Sequence, residues 1–251
     1  MDEVELIKKR LKELILRSES HAYFTFTDFL GLNEQSVFHS LLKEMGRIKY
    51  TAFGGAVGTE RVMVRFGDDG ELGYSEPFPI TTIKIEPKSQ KYAEKLSHRD
   101  FLGALMNLGI ERTTLGDIII KDNVGYLFAK SDMADFISQS LLRVRNTDVL
   151  AAPCDTLPDS PLYTTKRVKV QAVGERLDAV VAKVFSISRE DSLLYFKRGL
   201  VFANGRLIEN NSYIPKKDEK ISVRGLGRFI YLGYETTSKK GKLNIEVDLY
   251  V

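Results

Sequence analysis

Basic side chains recur between residues 176 and 225, where two short helices and a tight hairpin would gather them. They are Arg176, Arg189, Lys197, Arg198 and Arg206, with Asn204 and Arg224 beside the hairpin. Guanidinium groups offer planar forks of N–H donors that match phosphate oxygens, so a cluster of this kind suits nucleic-acid backbone recognition. The elements that must hold it are legible. Leu177, Val180, Val181 and Val184 repeat at i, i+3, i+4 and i+7, the apolar stripe of a short helix. Ser188 then reads as the N-cap of a second helix, with Asp191 as a weak capping-box acid and Gly199 as the stop. After Gly199 the period changes to two. Val201 to Ala203, Asn204-Gly205 and Arg206 to Ile208 predict a hairpin, because Asn-Gly supplies the positive φ angles of a type I′ turn. A third strand, Lys220 to Arg224, follows a Lys217-Asp218 turn.

The combination of Arg176-Leu177-Asp178, Ser188-Arg189, a helix closed by Gly199, Val201 and Asn204-Gly205 resembles the alpha-L RNA-binding motif, also called the S-four domain. Two positions depart from that pattern. Lys217 stands where the family usually has Gly before Asp218, and Ala203 replaces a larger β-branched residue. Beyond the motif, Phe229 to Thr236 and Leu243 to Tyr250 alternate apolar and polar residues, which predicts a long two-stranded ribbon. Its tip carries Lys239 and Lys240, either a soluble turn or an extension of the phosphate-contacting surface.

At 251 residues, with 43% apolar and 28% charged residues, the chain has the composition of a globular protein of two or three domains. It has no run of eighteen apolar residues and begins with a charged helix, so neither a membrane span nor a secretory signal is expected, and a cytoplasmic setting follows. The single cysteine, Cys154, cannot form an internal disulfide, and no Cys/His spacing suggests a metal; no cofactor is expected. The net charge of +3 is unevenly spread. Residues 168–251 carry 15 Lys and Arg against 10 Asp and Glu, leaving the remainder slightly acidic.

Earlier in the chain, helical periods cover Val4 to Ile15 and Asn33 to Met45. The aromatic run Tyr23 to Leu30 between them is either a base-stacking platform or, more commonly, packing between helices. Strands are predicted at Tyr50 to Phe53 and Arg61 to Phe66. The intervening Gly54-Gly55 lacks the Lys-Ser/Thr ending of a phosphate loop. From Phe78 the order is strand (78–86), helix (97–108), hairpin (117–121 and 124–129), helix (131–144) and strand (149–152), a ferredoxin-like βαββαβ arrangement shared with RNA-recognition domains. Tyr126 and Phe128 are the only aromatics placed for stacking on its central strands. The helix opener Ser97-His98-Arg99-Asp100 is a capping-box-like pair rather than a convergent catalytic triad. With Arg112, His98 and Arg99 form a candidate second binding site.

Over nearly its full length the chain resembles the YlmH family of bacterial proteins. The resemblance rests on Phe53-Gly54-Gly55 with Glu60-Arg61, on Leu96-Ser97-His98-Arg99-Asp100-Phe101-Leu102-Gly103-Ala104-Leu105, and on Leu108-Gly109-Ile110 with Arg112 and Gly116-Asp117-Ile118. Ala56 departs from it where an aromatic is expected. The resemblance implies a non-enzymatic RNA-binding protein associated with large ribosomal subunits carrying stalled peptidyl-tRNA, and linked by genome context to cell division. The implied partners are structured RNA, either rRNA or tRNA, and the large subunit, with the protein itself a monomer. The expected fold is α+β: an N-terminal helical and β segment (1–75), a ferredoxin-like middle domain (76–152), a linker (153–166) and a small α+β RNA-binding domain (167–251). The alternative is an RNA-modifying enzyme with an appended RNA-binding domain, either a pseudouridine synthase or a methyltransferase. Against it, Gly225-Leu226-Gly227 leads into a β-ribbon rather than a βαβ unit.

Overall fold

The computed structural model describes residues 2–155, 157, 163–238 and 241–250. Its contacts divide the chain into two compact units, Met1–Leu162 and Tyr163–Val251. The first begins with α1 (Glu3–His21), β1 (Thr25–Phe26), α2 (Leu32–Met45), β2 (Tyr50–Phe53), β3 (Met63–Phe66) and the single turn α3 (Asp69–Leu72). The strands form an antiparallel sheet in the order β1-β3-β2. Leu11 and Ile15 of α1 and Phe38 and Leu41 of α2 bury their stripes against Leu30, Val64 and Phe66. Leu30, at the end of the aromatic run, joins this packing. Phe24 and Phe29 are buried, and the Arg65 guanidinium lies 4.4 Å from the Phe24 ring centre.

The rest of the first unit is β4 (Ile80–Pro87), α4 (His98–Asn107), β5 (Leu115–Lys121), β6 (Val124–Lys130), α5 (Ala134–Ser140), β7 (Arg143–Val144) and β8 (Thr147–Pro153). Its sheet runs β5-β6-β4-β8-β7 with every neighbouring pair antiparallel. Leaving β7 aside, this is the split βαβ order of a ferredoxin-like domain. Helices α4 and α5 cover one face, where Phe101, Leu105 and Ile137 pack on Ile83, Ile85, Leu127 and Val149. The second helix is shorter than its sequence pattern suggests. It ends at Ser140, and Arg143–Val144 turn back as a strand, pairing with β8. The apolar spacing of Ile137, Leu141 and Val144 mimics another helical turn, yet Leu141 closes the helix and Val144 is buried from β7 instead.

The opposite face of that sheet is not open. Phe128 of β6 is fully buried, and the Gly55 backbone lies against its ring, so close that a Cβ built on Gly55 would meet Phe128 Cδ1 at 2.2 Å. Gly116 is similarly tight, with Phe29 and Phe128 within 3.1 Å of its virtual Cβ. Glycine at these points lets aromatic rings wedge between the N-terminal layer and the sheet.

The second unit comprises β9 (Thr165–Ala172), α6 (Leu177–Val184), α7 (Arg189–Lys197), β10 (Val201–Ala203), β11 (Arg206–Leu207), β12 (Glu219–Val223), β13 (Gly227–Thr237) and β14 (Leu243–Tyr250). Asn204 and Gly205 take φ values of +47° and +76°, the turn geometry expected of their sequence. The sheet order is β11-β10-β12-β13-β14-β9. The two helices bury Leu177, Val180, Val181 and Phe196 against Ile221, Phe229, Tyr231, Ile245 and Val247. The expected pairing of the last two strands forms, from Phe229 opposite Leu249 to Thr237 opposite Leu243, but it is not a free two-stranded ribbon: β14 also pairs along its whole length with β9, from Leu243 opposite Ala172 to Tyr250 opposite Thr165. The charges of β9 obscure its strand pattern, because Arg167 and Lys169 reach across to Asp248 and Glu246 of the adjacent β14 and to Glu235 of β13 beyond it. Around the segment read as a linker, β8 runs to Pro153 and β9 starts at Thr165, while Pro158, Asp159 and Pro161 lie outside the described residues.

The wedge at Phe128 makes a stability prediction. Gly55 has φ +99° and no room, whereas Gly73 has φ +75° and nothing within 4 Å of its virtual Cβ. Gly73→Ala should cost only the left-handed backbone strain, about 1 kcal/mol. Gly55→Ala should add overpacking and cost roughly 3 kcal/mol in total. Urea melts of the two variants check this, and equal losses would mean that Phe128 moves aside freely.

Candidate nucleic-acid interface

Two of the candidate arginines converge on one buried carboxylate. Arg176 immediately precedes α6 and donates from Nε and Nη2 to Asp178 Oδ1 and Oδ2 at 3.1 and 3.2 Å. From the first turn of α7, Arg189 donates to Asp178 Oδ2 from Nε and Nη2 at 3.1 and 3.0 Å. The Asp178 side chain is 0% exposed while those of Arg176 and Arg189 are 44% and 59% exposed. The acid thus sits beneath two guanidiniums whose outer edges face solvent. Burial opposes ionisation of Asp178, yet hydrogen bonds and charge from the two arginines hold its carboxyl below the usual range. The helices are locked to one another here as well, since Ser192 Oγ donates to the Asp178 carbonyl at 2.8 Å.

The helix ends themselves are already satisfied. Leu177 and Asp178 donate their amides to the carbonyls of Tyr213 and Asn211, at 2.8 and 3.2 Å. Ser188 caps α7 through the Asp191 amide, and Glu190 and Asp191 complement its dipole. The loop at 210–213 also brings in Arg206, whose Nη2 lies 3.3 Å from the Tyr213 hydroxyl, itself donating to Glu219. Lys197 and Arg198 are exposed at the far end of α7, about 12 Å from Arg189 at 1.5 Å per residue. Neither takes an ion-pair partner among the described residues. Arg224 lies over the Phe202 ring at 5.6 Å, and Asn204 uses its side-chain oxygen to accept from the Lys220 amide at 3.0 Å, a hairpin-bracing role. Lys239 and Lys240 lie outside the described residues.

The second candidate set separates. Arg112 Nη1 donates to the carbonyls of Leu115 and Gly116 at 2.6 and 3.0 Å. Burial and the neighbouring Arg61 bring its pKa down to about 10, so it remains a cation committed to backbone. Arg61 makes the companion bonds, to the carbonyls of Leu115 (2.9 Å), Phe29 (2.8 Å) and Arg112 (3.2 Å). Asp117 accepts the Glu60 and Arg61 amides at 2.7 and 3.0 Å. Partial desolvation, then the charge of Arg112, lowers the pKa of His98. Arg99 instead lines a cleft between α4 and the 140–145 segment. Asp100 accepts from the Ser97 amide and hydroxyl at 2.8 and 2.6 Å, completing a helix cap rather than a triad.

Sequence reasoning overlooked Asp178 as an anchor, and Arg61 with Asp117 as a junction. The available signal for Asp178 was an acid at the start of an apolar helix with Arg two residues before it.

Residues 74–156 match the family described as "Putative RNA-binding domain in YlmH". Over 167 residues the chain is 32% identical to "Ribosome-associated protein quality control protein P2" of Bacillus subtilis (strain 168), a match covering 65% of this chain. The chain spans 65% of the length of that curated relative. Among solved structures, "Cell division protein ylmH from Streptococcus pneumoniae" matches 61% of this chain and 92% of its own, with a TM-score of 0.48 and 23% identity.

Asp178 separates preorganisation from net charge. Asp178→Asn makes the unit more basic, but frees Arg176 and Arg189 from their common acceptor. RNA affinity should fall several-fold, and stability by about 2 kcal/mol, because charge-assisted bonds are lost at a buried site. Since folding lowers this pKa, the carboxylate's contribution is complete above the unfolded value, about 3.9, and is lost as pH falls through the lower folded value. A binding titration and a denaturant melt check both, and tighter RNA binding by the variant would mean that charge alone governs the surface.

Proposed function

We propose that this chain, which belongs to the YlmH family, is a non-enzymatic protein that binds structured RNA on the large ribosomal subunit and serves rescue or quality control of stalled subunits. The observation that carries the reading is the Asp178-anchored arginine pair. Two guanidiniums are held with their outer donors toward solvent on a helix pair packed against a sheet, an arrangement suited to phosphates of a folded RNA rather than to bond-making chemistry. The family description of residues 74–156 and the name of the Bacillus relative agree with an RNA and ribosome setting. Arg176, Arg189, Lys197, Arg198, Arg206 and Arg224 would provide the phosphate contacts, with Asn204 bracing the hairpin.

The reading includes a division of labour between residues 1–152 and 167–251, joined through 153–166. The basic C-terminal part grips RNA backbone of rRNA, and the N-terminal part contributes placement through a second contact, to tRNA or protein. Tethering raises the joint affinity through effective concentration. A monomer acting in the cytoplasm fits this role. Against an RNA-modifying activity, Asp178 is engaged by two arginines, and Ser97 and Asp100 are engaged with one another instead of with His98.

With about four to six phosphate contacts, log affinity for ribosomal RNA should fall against log salt with a slope of roughly −3 to −5. In co-sedimentation with purified bacterial large subunits, the intact chain should pellet, and residues 167–251 alone should pellet only weakly. A flat salt response would refute backbone recognition. Equal pelleting by the C-terminal part would remove the N-terminal part from placement.

A further inference from the structure

We propose that the domain formed by residues 74–156 takes RNA phosphates on its helical side, in the cleft between α4 and the β7–β8 hairpin. The cleft encloses about 570 Å³ and is lined by Arg99, Gly103, Asn107, Ser140, Arg143 and Arg145, among others. This inference rests on the RNA-binding reading above and names a surface that reading leaves open.

The sheet face ordinarily used for base stacking is obstructed. Phe128 is fully buried, with the Gly55 backbone against its ring, so of the two aromatics on the central strand only Tyr126 retains exposure. The helical side has the complementary features. Three arginines line the cleft, and Asp100 is the one acid among its described lining residues, with Asp148 and Glu94 adjoining Arg143 and Arg145 from outside that lining. Arg99 is exposed and has no ion-pair partner among the described residues. Arg143 pairs with Asp148 at 2.8 Å, but both side chains are largely exposed. Arg145 stands 3.6 Å from Glu94 and 3.7 Å from Asp100, too far for good hydrogen bonds. Exposed pairs of this kind are weak and exchange readily for a phosphate that accepts two parallel N–H bonds.

The walls suit a polynucleotide. Gly103 is exposed on α4 with nothing within 4 Å of its virtual Cβ, leaving space for a sugar-phosphate chain to approach the helix. Asn107 and Ser140 add neutral groups able to meet ribose hydroxyls, and Leu142, 60% exposed at the rim, offers an apolar surface to a sugar or base. Arg145 sits in the two-residue turn between β7 and β8, whose geometry accounts for its φ of +52°.

The test uses the full chain and purified bacterial large ribosomal subunits. Arg99→Gln combined with Arg145→Gln should weaken binding about tenfold at low salt and make the log–log salt slope shallower by about 1 to 2, one unit for each contact removed. Gly103→Glu is the second variant. It keeps every arginine and improves helix propensity, so it should fold at least as well as the parent while placing a carboxylate in the cleft and abolishing the same component of binding. Unchanged affinity and slope in both variants, with Arg189→Gln still weakening binding, would overturn the cleft and leave the RNA reading intact. Failure of the parent chain to bind the subunits would overturn both. A parallel titration with adenosine monophosphate distinguishes a mononucleotide pocket: saturable binding lost in Gly103→Glu, with subunit binding unaffected, would reject RNA as the occupant.

Discussion

The first unit depends on how Arg61 is held. Its guanidinium reaches three carbonyls, those of Phe29, Leu115 and Arg112, while its own amide and that of Glu60 are fixed by Asp117 at the start of β5. One side chain thereby ties the loop before β3, the end of the aromatic run and the edge of the ferredoxin-like sheet. A lysine could not make this junction, because its ammonium is a compact point donor and the three carbonyls lie at the spread of a planar fork. The arrangement also brings two like charges together. Arg112 shares the Leu115 carbonyl with Arg61, and burial with the charge of Arg61 brings its pKa down to about 10, with Asp117 and Glu34 offsetting the repulsion. Both guanidiniums are committed to backbone carbonyls, and neither is available to a ligand as more than a long-range charge.

That junction decides which surfaces remain for function. By drawing the Gly54-Gly55 loop over β6, it leaves Phe128 as a packing residue. Seven of the chain's arginines illustrate three distinct physical classes. Arg61, Arg65 and Arg112 hydrogen-bond backbone carbonyls, Arg176 and Arg189 are steered by a buried carboxylate but present their outer edges, and Arg99 and Arg198 extend into solvent. Only the last two classes can greet a phosphate. Composition assigns all of them the same charge.

Much of the architecture was legible because local chemistry and tertiary demand agree. Asn204-Gly205 specifies a turn whose φ values only a few residues accept, and the stripe from Leu177 to Val184 specifies the buried face that the sheet receives. The misreadings occur where two solutions bury the same residues. Ile137, Leu141 and Val144 fit a longer helix as well as a helix followed by a hairpin, and only the space beside β8 selects the second. Strand β9 was hidden because its cross-strand partners lie some eighty residues away, at Glu246 and Asp248. The candidate interface was legible in its residue types but not in its geometry. That Arg176 and Arg189 share an acceptor depends on the packing angle of two helices, whereas the separation of Arg99 from His98 follows from adjacent positions on α4 facing different neighbours.

The basic excess of residues 168–251 consequently overstates the charge available to RNA. Lys169 is matched to Glu235 and Glu246, and Asp178 lies under Arg176 and Arg189. A buried acid beneath two arginines lowers the local potential, which by counting alone would weaken attraction for phosphate. It also removes rotamer freedom from the two side chains and directs their remaining donors outward, so less entropy is lost when a phosphate arrives. For a flexible single strand the loss of potential would weigh more. A folded RNA presents phosphates at fixed spacing, so donors fixed in advance gain more from orientation than they lose in charge, and an acid at the centre of a cationic surface is then consistent with recognition of RNA shape.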